Sequence, residues 1–260
     1  MSAARKIVKG AERQPFMQLI RRYCVPLHAV SVDGAHPAAG GLRFVGGSAL
    51  LWETIEGRFF VTACHVWREL MERVHDHHQR YNILTCDLGG PVLIRLPTLV
   101  DECDELDLAV FTVQGIKDFK PSGKEFLRTL NWPTAPARSD DMIVGCGYPG
   151  DIRLFKEGRW ELQMMFWAYL RCSVSSTGRG LILDGKAEEG LTTYFTTPRP
   201  KKIGLPGISG APLFALREQT LDWIGIVRSG SGKPPDSCSI QATPSGFIGP
   251  DGRILRRRGE

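Results

Sequence analysis

Apolar runs in this chain are short and are cut by turn formers: the longest, 164–170, is followed within a few residues by polar ones, and 29 glycines and 17 prolines are spread between the runs. A membrane-spanning helix needs about 20 apolar residues, so such a helix is excluded, whereas strands of about 4–8 residues joined by turns suit the pattern. With 42% hydrophobic and 23% charged residues, the chain of 260 residues has the composition of a folded protein with one sizeable core. Strands are expected at 48–52 and 58–62, as a hairpin turning on Glu56-Gly57, and at 81–86, 92–96 and 108–113. They recur at 142–147, 160–166, 168–174, 192–196, 211–216, 223–227 and 239–242, after a linker over 114–138 that contains Pro121, Gly123 and Pro133. Phe16, Met17, Leu19, Ile20 and Tyr23 have near-helical spacing, which predicts an amphipathic helix over 12–23. A second helix is expected from Trp67.

Three strings carry chemistry. Ser209 lies in Gly207-Ile208-Ser209-Gly210-Ala211-Pro212, where flanking glycines permit a sharply turned backbone. Serine is a poor nucleophile at neutral pH and needs a general base and donors for the developing oxyanion. His65 ends Thr62-Ala63-Cys64-His65 after the apolar run Phe59-Phe60-Val61, and Asp107 heads the run Leu108-Ala109-Val110-Phe111. Taken singly, each string has a plainer reading: a turn, a histidine at a strand end, a strand-edge aspartate or helix cap. Asp104, three residues before Asp107, is a rival acid but lacks the strand that follows directly. The order is histidine, aspartate, serine.

That order and these contexts resemble the chymotrypsin-like serine proteases, and are closest to the bacterial-type trypsin-like peptidases. The resemblance spans roughly 40–250 and includes Gly145-Cys146-Gly147-Tyr148-Pro149-Gly150 and the glycine-rich strand 225–232. It implies an all-β fold, a chymotrypsin-like double six-stranded β-barrel with a few short helices. The implied divisions are an N-terminal arm with a short helix (1–39), an N-terminal barrel bearing His65 and Asp107 (40–125), and a C-terminal barrel bearing Ser209, the specificity pocket and a basic tail (126–260). It further implies an endopeptidase that works through an acyl-enzyme, with His65 as base, Asp107 orienting it, and the amides of Gly207 and Ser209 as oxyanion donors. Ile203 would lie at the base of the substrate pocket, with Gly204 beside it, Gly230 and Ala242 as walls and Arg228 next to the triad aspartate. None of the pocket residues is acidic, so an uncharged medium or large apolar side chain is expected in preference to Arg or Lys, although Lys201 and Lys202 could instead favour acidic residues. Ile208 stands where trypsin-type zymogens carry an aspartate, so activation by a freed N-terminus is not expected, and ordering of the oxyanion loop by a partner or target protein is expected instead.

The seven cysteines, Cys24, Cys64, Cys86, Cys103, Cys146, Cys172 and Cys238, are odd in number and lack framework spacing, so they read as reduced. Cys64, beside the base, reads as a buried inert thiol. With no apolar signal core in the N-terminal residues, a cytoplasmic protein is expected. The net charge of +5 is concentrated in 198–202, the N-terminal arm and 253–258, without an accompanying RNA or zinc-finger motif; nucleic acid and membrane are not expected as partners, and a peptide or protein substrate is. His75, His77 and His78 imitate a metal site but lack evident third and fourth ligands, so neither metal nor cofactor is expected. Two other classes compete: a catalytically silent module that keeps the scaffold for binding, and an α/β-hydrolase. The second is excluded because no histidine follows Ser209.

Overall fold

Leu50 and Trp52 point to one side of their strand and Ala49 and Leu51 to the other, and all four are buried. Strands sandwiched in this way read as continuous apolar runs rather than as alternating ones. The computed structural model describes residues 13–31, 46–76, 81–87, 90–94, 97–113, 123–129, 132–133, 136–150, 153–156, 159–162, 164–169, 173–174, 178–186, 192–195, 205–217, 220–233 and 236–256. These residues make two antiparallel sheets and few helices, the all-β division expected from the sequence.

Cys24–Ser31 (β1), Gly46–Glu53 (β2), Arg58–Thr62 (β3), Tyr81–Asp87 (β4), Gly90–Ile94 (β5), Pro97–Cys103 (β6), Leu108–Val113 (β7) and Leu127–Arg128 (β8) form the first sheet. Its order is β5-β4-β1-β2-β3-β7-β6, with β8 laid parallel on β2. Met142–Gly147 (β9) opens the second half, followed by a separate hairpin of Arg153–Lys156 (β10) and Arg159–Leu162 (β11). Next come Met165–Tyr169 (β12), Ser173–Val174 (β13), Leu181–Lys186 (β14), Thr192–Phe195 (β15), Pro212–Leu216 (β16), Leu221–Lys233 (β17) and Ser237–Pro244 (β18). The second sheet runs β13-β14-β18-β17-β16-β9-β12-β15. Each sheet thus has eight strands where the sequence suggests barrels of six, the additions being short or peripheral pieces such as β8 and β13.

Several expected boundaries differ. Cys24–Ser31, inside the segment assigned to the N-terminal arm, pairs with both β2 and β4 and buries Val25 and Leu27 fully, while Pro26 and His28 interrupt the apolar pattern that would have marked it in the sequence. The expected strands over 160–166 and 168–174 are instead divided among β11, β12 and β13, with β12 lying inside the apolar run 164–170 that the expected limits cut in two. Among the described residues the α-helices are Arg13–Tyr23 (α1) and Cys64–Asp76 (α2), the latter starting before Trp67. Neither is long and apolar enough to cross a membrane.

The alternate faces of β2, β9 and β16 feed separate cores. Leu50, Trp52, Val144 and Phe214 join a cluster shared by both sheets, while Ile143, Leu213 and Ala215 enter the second sheet's own cluster. At the junction the rings of Trp52, Trp132 and Trp223 lie 4.9–5.2 Å apart. Each indole N–H is satisfied, Trp52 on Thr129 Oγ1, Trp132 on the Ile248 carbonyl and Trp223 on the Gly225 carbonyl. Pairs of this kind add about 0.5–1.5 kcal/mol each beyond the area they bury. The junction therefore fixes the two sheets against each other, which matters because each supplies part of the site.

Candidate active site

His65 is the second residue of α2, which begins directly after β3. Val66, Trp67 and Leu70 are buried against the first sheet, with the Trp67 ring stacked 4.7 Å from Phe111, so the helix start is firmly seated. Asp107 closes the four-residue loop between β6 and β7, whose ends pair as Cys103↔Leu108. Its amide donates to the Asp104 carbonyl, 3.0 Å away, and its φ is +49°, in the left-handed region that aspartate tolerates better than most residues. The loop is tied from both sides. Arg68 on α2 pairs with Glu102 at 2.9 Å and Asp104 at 2.5 Å, and Thr243 of β18 donates its hydroxyl to the Leu106 carbonyl.

Asp107 grips His65 twice. Its Oδ1 accepts the His65 backbone N–H at 3.0 Å, an amide left without a partner within the first turn of the helix, and ring Nδ1 lies 2.9 Å from Oδ2 and 3.0 Å from Oδ1. With Nδ1–H committed to the carboxylate, Nε2 is the basic nitrogen. The hydrogen bond to Asp107 raises the imidazole pKa above its ordinary value, and this outweighs the opposing effect of partial burial. For Asp107, burial works against ionisation, but the hydrogen bonds from the His65 ring and amide prevail and the carboxyl stays below the ordinary range. Asp104 is occupied by Arg68 and by the Cys64 thiol, so the rival acid is not the histidine's partner. Burial and the neighbouring carboxylates of Asp104 and Glu102 push the Cys64 thiol up to about 12, consistent with an unreactive side chain. Cys24, Cys64, Cys103 and Cys146 are free thiols.

The serine loop is built from two consecutive turns. Ile208 N–H donates to the Leu205 carbonyl across Pro206-Gly207, and Ala211 N–H donates to the Ile208 carbonyl across Ser209-Gly210. The third residue of each turn is a glycine with positive φ, +91° at Gly207 and +84° at Gly210, which is the type II requirement. The Gly-x-x-Gly spacing is thereby explained as backbone geometry. Among the described residues the amides of Ile208, Gly210 and Ala211 are used, while those of Gly207 and Ser209 have no hydrogen-bond partner.

The loop docks on the first sheet through residues that sequence reasoning missed. Ser48 N–H donates to the Ser209 carbonyl at 2.8 Å, while Ser48 Oγ donates to the Gly207 carbonyl and accepts from Tyr148 N–H. A Cβ at Gly47 would lie 2.8 Å from the Ser209 carbonyl oxygen and from Val66 Cγ2, the residue after His65. A Cβ at Gly210 would lie 2.2 Å from Thr62 Oγ1 and closer still to the Ser48 carbonyl oxygen. The pair Gly46-Gly47 ahead of Ser48 was the available signal, since adjacent glycines in a strand mark a close backbone approach.

The Ser209 hydroxyl donates to the Arg228 carbonyl at 2.9 Å, its only hydrogen bond among the described residues, and is not bonded to His65. Arg228 sits at a bulge in β17: Val227 pairs with Ala242 and Ser229 with Gln241, leaving Arg228 between them without a ladder partner. Of the expected pocket, Ile203 and Gly204 lie outside the described residues. At Gly230 a Cβ would meet Ile208 Cδ1 at 2.8 Å and Leu205 Cδ1 at 3.0 Å. Leu205, Ile208 and Ala242 are buried together in the second sheet's core. The side chains of Leu205 and Ile208 therefore lie directly against Gly230.

No protein-family model and no curated protein matches the sequence. Among solved structures the chain is similar to a thermostable serine protease, AL20, from an extremophilic microorganism, at 12% identity and a TM-score of 0.45, covering 86% of this chain and 93% of that one. It is also similar to Deg5, at 15% identity and a TM-score of 0.46, covering 90% of each.

Proposed function

We propose that the chain is a serine endopeptidase of the trypsin-like type in which Ser209 attacks a peptide carbonyl, His65 Nε2 takes the hydroxyl proton and Asp107 stabilises the resulting imidazolium. The observation that carries this reading is the double grip of Asp107 on His65, through ring and backbone, which fixes the tautomer a general base requires. The two unpartnered amides of Gly207 and Ser209 supply donors for the oxyanion, as the motif implies. The imidazolium then gives its proton to the leaving amine as the C–N bond breaks, and the resulting acyl-enzyme on Ser209 is hydrolysed by water activated by the same, again neutral, histidine. Before attack, Ser209 Oγ leaves the Arg228 carbonyl by rotation about its Cα–Cβ bond, a step between ordinary staggered rotamers. Substrate lies along β17 at Arg228 and Gly230 and beside residues 205–207, and a partner or target protein orders the oxyanion loop.

The competing reading, a silent binding module, is favoured by one observation: the Ser209 hydroxyl is held by the Arg228 carbonyl rather than by His65. A fluorophosphonate probe separates the two. Wild type is expected to label and S209A to be blank; a wild type that never labels favours the silent module, and undiminished labelling of S209A places the nucleophile elsewhere.

A further inference from the structure

Arg228 is the bulged residue of β17, and its carbonyl already touches the Ser209 hydroxyl. A bulge re-aims the side chain that it carries, and bulges gather beside active sites. The Arg228 side chain is half-buried and, among the described residues, its guanidinium makes neither a hydrogen bond nor an ion pair. This contrasts with Arg68, Arg217 and Arg256, each of which is paired with carboxylates. The charge of Arg228 nevertheless bears on both His65 and Asp107. Two residues further along the strand, Leu205 and Ile208 pack against Gly230.

A half-buried guanidinium without an anionic partner is costly to leave unpaired, and its planar fork suits a carboxylate. We propose that Arg228 anchors a carboxylate of the substrate, so that the site selects peptides with an acidic side chain close to the bond attacked. The inference rests on the peptidase reading above for its location, and it names the substrate class that reading leaves open. A bound carboxylate also offsets the positive charge that opposes protonation of His65, so the same contact favours the imidazolium formed during attack.

The test uses the full chain and a matched set of fluorogenic peptides in which one Glu, or its isostere Gln, is walked through the four residues before the scissile bond. At one position the Glu peptide is expected to exceed its Gln twin in kcat/KM on the order of 10- to 100-fold. In R228A the ratio is expected to fall to about one, in R228K part of it should return, and R228E should turn the preference toward Lys. Because each ratio is taken within one variant, loss of folded fraction does not alter it, and the melting temperature of each variant reports the fold. Binding of the same peptides to S209A, read by fluorescence anisotropy, gives the parallel measure without turnover. Should fluorophosphonate labelling fail while Arg228-dependent tighter binding of the Glu peptide persists, the peptidase reading falls and the carboxylate anchor stands. Ser209-dependent labelling with a Glu-to-Gln ratio near one at all four positions, or a preference undiminished in R228A, overturns the anchor.

Discussion

The two halves of the site are held by different physics. Asp107 and His65 are joined by side chains: a carboxylate caps a helix amide and a ring nitrogen, while Arg68 ties the same helix to the same loop. Ser209 is placed by backbone: two glycine turns shape its loop, and Ser48 and Gly47 receive it on the opposite sheet. The first half is closed, with each partner already engaged. The second is formed as a loop but has its hydroxyl turned toward Arg228. Chemistry in the first half therefore depends on which side chains are present, and in the second on which side chains are absent.

Substitutions separate the two modes. The largest effect on rate is expected from D107N, which keeps the shape but presents an amide where Nδ1–H needs an acceptor; a loss of about 10⁴-fold in kcat/KM, with little change in Tm, is the expected outcome. A loss below tenfold would show that the pair does not act as one unit. G210A is expected to act on the fold instead. The added methyl collides with the Ser48 carbonyl oxygen and Thr62 Oγ1 at a positive φ, so stability should fall by about 3–5 kcal/mol, with loss of labelling, in thermal and denaturant melts. S48A strands the Tyr148 amide without its acceptor and takes a donor from the Gly207 carbonyl, for an expected cost of about 1–3 kcal/mol.

Smaller effects concern titration. The hydrogen bond that His65 donates to Asp107 raises the His65 pKa above the ordinary 6.5, so the pair's contribution to stability is complete below that value and fades as pH rises through the raised one. Asp107 is lowered below the ordinary 3.8, so its contribution is complete above that value and is lost as pH falls through the lowered one. As a base, His65 must be neutral. The acid limb of kcat/KM is therefore expected above 6.5, and residual activity in D107N should show a limb shifted to lower pH; an unshifted limb would detach His65 from Asp107. C64S should change the rate least, since the thiol is buried and remains protonated at neutral pH.

The same contrast explains what could be read from the residues alone. Strands β7 and β9 coincide with their expected limits because each is an uninterrupted apolar run between turn formers. The aspartate–histidine pair was legible because residue types and their order carry it. Strand β1 was not, since Pro26 and His28 break its pattern and only pairing with β2 and β4 defines it. The role of Ser48 depends on a contact 159 residues along the chain, with Gly207. Nor does local sequence reveal the β17 bulge at Arg228, which is a mismatch of register with β18. The packing of Leu205 and Ile208 against Gly230 depends likewise on how the loop meets β17.

The account turns on His65 serving as the base for Ser209. The most direct measurement is the second-order rate constant of fluorophosphonate inactivation for wild type and H65A, with the adduct located by peptide mass spectrometry. The account predicts an adduct on Ser209 in wild type and a rate reduced by at least about 10³-fold in folded H65A. An equal rate in H65A, or an adduct on another residue, would contradict it.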